Sequence, residues 1–247
     1  MTYFQLSTVG GFALTSFSPL GTEFQKWDLV PFFLRNKTNM DKISPALEYE
    51  QRVNKLKFNM TSLYEGFHSE RFECIDLYGW SVPGQDALEI VASLCNGNKL
   101  LDYGCGSGLW SADLADRGVD VWPYDPNPHL PTEHIKVQPY IPWVDWDDEY
   151  VSMLLSWPLY DDSMGADALN EWILSKAKPM YLFYIGESEG GCTGNDSMFE
   201  LIKHHFDAYM VVDIPTWPNV HDALYIYHIG IRSMTLKNWQ TIKGIMG

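Results

Sequence analysis

Cysteine is scarce in this chain of 247 residues. The four present, Cys74, Cys95, Cys105 and Cys192, are scattered with no C-x-x-C pair, which argues against a zinc knuckle or a disulfide scaffold. Free thiols in a reducing cytoplasm are the expectation. Long apolar runs are missing too: no stretch approaches the roughly 18 residues a membrane span needs, and no basic flank precedes an apolar segment at the N-terminus. The sequence therefore predicts a cytoplasmic protein without membrane attachment. Basic residues are few, 17 Lys and Arg against 32 Asp and Glu, and the formal charge of −15 opposes indiscriminate binding to duplex phosphate backbones. Non-specific nucleic-acid binding is disfavoured on that ground.

What is abundant is apolar and aromatic. Hydrophobic residues make up 46% of the chain, enough for one substantial core. Aromatic residues reach 15%, with ten Trp, more than a core usually needs, so about three or four of them are expected around a flat or apolar ligand. The organisation predicted is an N-terminal extension with a helix and a lid over residues 1–75, then one main domain over 76–247. Residues 1–45 show no periodicity and predict irregular structure, and a helix is expected from Pro45 to about Met60.

Along the main domain, the turn-rich stretch 78–84 precedes a helix at 85–95, closed by Asn96-Gly97-Asn98. A buried strand at 99–103 leads into Asp102-Tyr103-Gly104-Cys105-Gly106-Ser107-Gly108. A helix at 109–117 and a strand at 119–124 follow, making a βαβ unit. Further strands are predicted at 135–138, 151–156, 180–186, 209–214 and 223–228, with helices at 166–176 and 196–205. The short link before the last strand makes it antiparallel to its predecessor. The fold class predicted is α/β, a Rossmann-like three-layer sandwich.

Glycines in a βα turn let the backbone approach a ligand closely, and the helix that follows offers free N–H groups. Here Leu109 stands where the dinucleotide fingerprint would place its third glycine, which favours an adenosylmethionine turn over a nicotinamide one. Asp125, ending the next strand, is suited to accept hydrogen bonds from two ribose hydroxyls. The run Leu100 to Gly108 resembles motif I of class I S-adenosylmethionine-dependent methyltransferases, and Val121-Trp122-Pro123-Tyr124-Asp125 resembles their post-I strand. The resemblance implies a mostly parallel seven-stranded sheet with a final antiparallel strand. It also implies S-adenosylmethionine as cofactor, with Asp102, Gly104, Cys105, Gly106, Gly108, Asp125 and Ser156 as the residues that hold it. Residues 1–75 lie outside it.

On the acceptor side, Trp157-Pro158-Leu159-Tyr160 is similar to the Asp/Asn/Ser-Pro-Pro-Tyr/Phe motif of amino-group methyltransferases, in degenerate form. Trp157 replaces the polar first residue and Leu159 the second proline. Trp157, Pro158, Tyr160 and Trp217 are the candidate acceptor-binding residues, and Tyr160, Glu187, His221 and Asp222 the candidate catalytic ones. His221 has an unperturbed range near neutrality. Gly190-Gly191-Cys192-Thr193-Gly194 reads as an anion nest or a flexible loop, with Thr193 or Asn195 near the next helix cap. His204 and His205 have no partner at metal-ligand spacing, so no metal is expected. Three activities stay open: methyl transfer to a small molecule, a nucleobase-like amine or a protein side chain; cofactor binding without transfer, as a regulatory or scaffold subunit; and cleavage of the cofactor itself. The N-terminal arm leaves room for a homo-oligomeric or heteromeric partner.

Overall fold

The computed structural model describes residues 43–58, 64–127 and 132–229, which belong to one compact unit. The expectations for residues 1–42, and for the helix beyond residue 58, lie outside the described residues. Two helices come first, α1 (Pro45–Phe58) and α2 (Tyr64–Tyr78), followed by α3 (Gln85–Cys95), β1 (Lys99–Tyr103), α4 (Leu109–Asp116) and β2 (Asp120–Tyr124). The remainder is β3 (Tyr150–Ser156), α5 (Met164–Leu174), β4 (Lys178–Gly186), α6 (Asp196–His205), β5 (Phe206–Asp213) and β6 (Ala223–Ile229). The strands form one sheet in the order β2-β1-β3-β4-β6-β5. The first four are parallel, and β6 lies antiparallel between β4 and β5. No helix of the described residues is long and apolar enough to cross a membrane.

The alternation of strand side chains divides the core into two layers. Leu100, Leu154 and Phe183 face α1, α3 and α4, while their neighbours Leu101, Leu155 and Leu182 face α5 and α6. Local chemistry sets several helix ends. Ser44 Oγ accepts the Leu47 N–H at 3.2 Å, and Pro45 stands at the first helical position, where its missing N–H is no loss. Asn195 caps α6 by accepting the Met198 N–H at 2.9 Å.

Two findings depart from the sequence expectation. The sheet has six strands among the described residues, because residues 135–138 contribute one isolated parallel bridge, Tyr124 to Gln138. Gln138 N–H donates to the Pro123 carbonyl at 2.8 Å, and the Val137 N–H is taken by the Glu133 carboxylate at 2.9 Å. Pro139 and Pro142 then remove the donors a longer ladder would need. Aromatic edges cover this side of the sheet: Trp122 packs on Tyr140 and Trp146, with ring centroids 5.7 and 5.8 Å apart.

The second departure is α2, which periodicity does not announce. Its apolar residues fall on more than one face, with Cys74, Ile75 and Tyr78 buried and Phe72 and Leu77 exposed. Together with α1 it contributes to the same core layer as α3 and α4. Tyr49 of α1 stacks on Tyr78 at 4.8 Å and donates its hydroxyl hydrogen to the Gly79 carbonyl at 3.1 Å. The loop that begins at Gly79 is thereby fixed at its start.

Candidate functional site

The site is built where β1 ends and the chain reverses into α4. Gly104, Gly106 and Gly108 take left-handed conformations, with φ of 75°, 54° and 72°. The N–H groups of Gly104 and Cys105 both donate to the Tyr124 carbonyl, at 2.8 and 3.0 Å, and Gly108 N–H closes on the Cys105 carbonyl at 2.9 Å. Side chains would crowd this turn. A Cβ on Gly108 would stand 2.6 Å from Ile135 Cγ2, and one on Gly104 would stand 3.1 Å from the Met164 thioether.

Two carboxylates brace the turn. Asp125 Oδ2 accepts the Gly106 N–H at 3.0 Å and its Oδ1 accepts the Asn127 N–H at 2.8 Å, so each oxygen keeps a lone pair. Asp102 lies beneath, 1% exposed. Its Oδ2 accepts the Ser111 hydroxyl at 2.6 Å, whereas its Oδ1 is buried without a hydrogen-bond partner. Burial pushes this carboxyl up to about 7; the Ser111 hydrogen bond opposes the rise and the Asp125 charge adds to it. Burial also raises the Cys105 thiol, and the Asp102 and Asp125 charges add to the rise, which disfavours a thiolate at the turn.

Above the turn is a narrow cleft of about 60 Å³, below the range of about 300–1,000 Å³ usual for open small-molecule sites. Asp102, Gly104, Cys105, Gly106 and Ser156 line it, as does Trp157 at the end of β3. Trp80 also lines it and lies directly against Trp157, the indoles stacked with centroids 4.9 Å apart and planes 13° apart. Ser81 ties the walls together: its hydroxyl pairs with the Ser156 hydroxyl at 2.6 Å and accepts the Trp110 indole N–H at 2.8 Å. A second and larger groove, of about 310 Å³, runs between α6 and the β5–β6 pair, and no residue of the glycine turn reaches it.

Trp157 is held from three directions. Its φ is 54°, its backbone N–H donates to the Ile185 carbonyl at 2.8 Å, and its Nε1 donates to Asp222 Oδ2 at 2.6 Å. Asp222 is buried, with an unpartnered Oδ1, and burial pushes its carboxyl up to about 6, against the Trp157 hydrogen bond. On α2, the Nε of Arg71 is likewise buried without a hydrogen-bond partner, and the Arg71 charge favours ionised Asp222.

The other sequence candidates separate. Pro158 is buried and its carbonyl accepts the Gly194 N–H at 2.7 Å, while Tyr160 is 52% exposed beyond the cleft lining. Glu187 is a structural clasp: its carboxylate accepts the Cys192 N–H at 2.9 Å and the His221 N–H at 3.1 Å. These bonds, Cys192 first, hold it below the usual carboxylate range, which makes it a poor proton acceptor. The exposed His221 ring stands 3.5 Å from it. Trp217, expected at the acceptor, is instead a core residue, 2% exposed, donating its indole N–H to Tyr49 at 2.9 Å. It supports the Gly79 loop from behind. Ser81, Trp110 and Arg71 carry no local signal in the sequence, since their roles arise from elements far apart in the chain. Among the described residues no group of three His, Cys, Asp or Glu could hold a metal ion.

No protein-family model and no curated protein matches the chain. Several solved structures are similar at low overlap. A magnesium protoporphyrin IX methyltransferase from Synechocystis with bound S-adenosylmethionine is 12% identical, covering 78% of this chain and 100% of its own, with a TM-score of 0.42. A 1,6-didemethyltoxoflavin-N1-methyltransferase from Burkholderia thailandensis is 17% identical over 76% of this chain and 92% of its own, with a TM-score of 0.40. An N-methyltransferase from Bradyrhizobium japonicum is 12% identical over 67% and 98%, with a TM-score of 0.39. Overlaps of this size leave the function to be argued from the residues of the site.

Proposed function

We propose that the chain binds S-adenosylmethionine in the cleft over the glycine turn and transfers its methyl group to an acceptor. The observation that carries this reading is the turn itself: three left-handed glycines roofing a buried carboxylate, with Asp125 clamped to Gly106. The residue types at the turn suit the cofactor, which needs the Trp80–Trp157 contact to open for entry. Asp125 keeps one lone pair on each oxygen, which suits a ribose diol, and the first turn of α4 borders the cleft at Leu109 and Trp110. Asp102, when ionised, sets a negative charge under a cationic ligand, and its unpartnered oxygen is the kind of buried group a ligand donor would satisfy.

When bound, the sulfonium supplies an activated methyl group. The protein's part is alignment and exclusion of water. Trp80 and Trp157 wall the cleft against solvent, Ser81 and Ser156 hold the walls in register, and the Asp222 carboxylate orients Trp157. Asp222 acts through Trp157 and is a positioning residue. Tyr160, exposed next to this wall, is assigned to the acceptor. Binding without transfer is the second reading, and one observation favours it: the Trp157 indole occupies the position where the amino-group motif has a polar residue, and it is stacked against Trp80.

The test is calorimetry with S-adenosylhomocysteine on wild type and Asp125→Ala. The variant loses the Gly106 clamp and the ribose acceptor together, and affinity should fall by about 1.5–3 kcal/mol, the scale of hydrogen bonds to a charged group. Unchanged affinity refutes the assignment. Labelled S-adenosylmethionine offered with cell extract then separates transfer from binding alone.

A further inference from the structure

The two indoles at the cleft are not equivalent. Trp157 is fixed by its left-handed backbone, by Ile185 and by the Asp222 carboxylate. Trp80 is 41% exposed and follows Gly79, whose φ of 100° only glycine adopts readily. One wall is rigid; on the other the backbone is held at Gly79 and Ser81, and the part-exposed indole of Trp80 moves by turning about its side-chain bonds. At 4.9 Å between centroids the pair is in direct contact, so a ring can enter only if Trp80 moves out by about the thickness of one aromatic ring, roughly 3.5 Å.

The fixed wall also has a definite electronic character. An indole N–H that donates to a carboxylate is polarised, and the negative face of the ring becomes more negative. Such a face attracts cations and electron-poor rings. Asp102 on the floor, when ionised, and the chain's charge of −15 act in the same direction.

We propose that Trp80 and Trp157 form a clamp for a planar, cationic or electron-poor aromatic ring, which inserts between the indoles, and that Asp222 tunes the fixed face for it. The name acceptor for this ring rests on the methyl-transfer reading; the binding itself does not. Methyl transfer to a ring of this class gives the clamp a direct use, because stacking fixes the plane of the reacting atom.

The experiment uses the full chain and four probes by calorimetry, with and without S-adenosylhomocysteine: N-methylquinolinium, neutral quinoline, naphthalenesulfonate and tetramethylammonium. N-methylquinolinium should bind tightest, quinoline next, and the planar anion and the non-planar cation weakest. Trp80→Leu, at a part-exposed position, should weaken N-methylquinolinium by about tenfold. Asp222→Asn keeps an acceptor for the indole N–H but removes the charge, and should lower the ratio of quinolinium to quinoline affinity by about fivefold, an effect that mere loosening of the wall would not produce. The clamp is overturned if N-methylquinolinium binds no better than tetramethylammonium, if Trp80→Leu leaves it unchanged, or if S-adenosylmethionine, but not S-adenosylhomocysteine, displaces it, since the indoles would then face the sulfonium. If the ring binds and S-adenosylhomocysteine does not, the clamp stands and the cofactor reading falls.

Discussion

Asp102→Asn isolates a single buried charge under the glycine turn. Burial holds the Asp102 carboxyl at about 7 in the folded chain, against an ordinary value of 3.8. The gap of about 3 pH units corresponds to about 4 kcal/mol at 1.36 kcal/mol per unit. Because the folded value is raised, the protonated carboxyl is the form the fold favours. The stabilisation is complete below about pH 4, is lost as the pH rises towards 7, and does not change further above that. Asparagine still accepts the Ser111 hydroxyl and never ionises. Urea unfolding at half-unit steps from pH 4.5 to 8 should therefore show wild type losing ground to the variant by about 1.4 kcal/mol per pH unit up to pH 6.5, then levelling. Taking the difference between the two proteins cancels the other carboxylates. A flat difference means that Asp102 is not desolvated as described, and a difference that rises with pH means that an unseen partner holds it ionised.

Three further outcomes bear on the site. Gly108→Ala combines a φ of 72° with a Cβ 2.6 Å from Ile135 Cγ2, and should destabilise the chain by about 1–3 kcal/mol in urea; adding Ile135→Ala should restore the steric part, and no restoration would place the whole cost in the backbone. Hydrogen exchange across residues 76–85 should slow when S-adenosylhomocysteine binds, as for a closing lid, and equal exchange in both states would exclude one. Tyr160→Ala, at a half-exposed side chain, should leave cofactor affinity and thermal stability near wild type while methyl transfer falls about a hundredfold, and an unchanged rate would remove Tyr160 from the acceptor site.

The parts of the fold legible in sequence are those governed by local chemistry. Residues 85–95, 99–103 and 196–205 form the elements that their periodicity and caps predict, and the glycine spacing predicts a turn that the structure forms with three positive φ values. What the sequence hides is set by contacts between distant residues. The would-be strand at 135–138 has the right composition, yet Pro139 and the Glu133 carboxylate take it out of the ladder. Trp217 looks like a loop residue near the acceptor until Tyr49, from the first helix, claims its indole N–H. Trp157, judged in the sequence only by its departure from a polar residue, has partners that no local pattern announces, Asp222 at its indole N–H and Trp80 against its ring.

The distribution of strain points to the same place. Three non-glycine residues among the described ones have positive φ, and two of them, Asp148 and Asn219, are of the types that tolerate it. Trp157 is not, and a bulky residue in that region costs on the order of 1–3 kcal/mol. Relief would be simple: glycine or asparagine at this position would remove most of the cost. Instead the chain adds two more burdens beside it, the unpartnered oxygens of Asp222 and Asp102, each disfavoured by burial. Strain and unsatisfied charge persist together only where surrounding packing over-determines them, and here the Ile185 carbonyl, the Asp222 carboxylate and the Trp80 ring each fix the same indole. A side chain kept at that cost, on the rim of a cleft above a backbone-lined turn, is what the proposed clamp requires. Trp157→Asn, by removing strain and indole together, should raise stability in urea while weakening N-methylquinolinium, whereas a loss of stability would make the indole a packing residue.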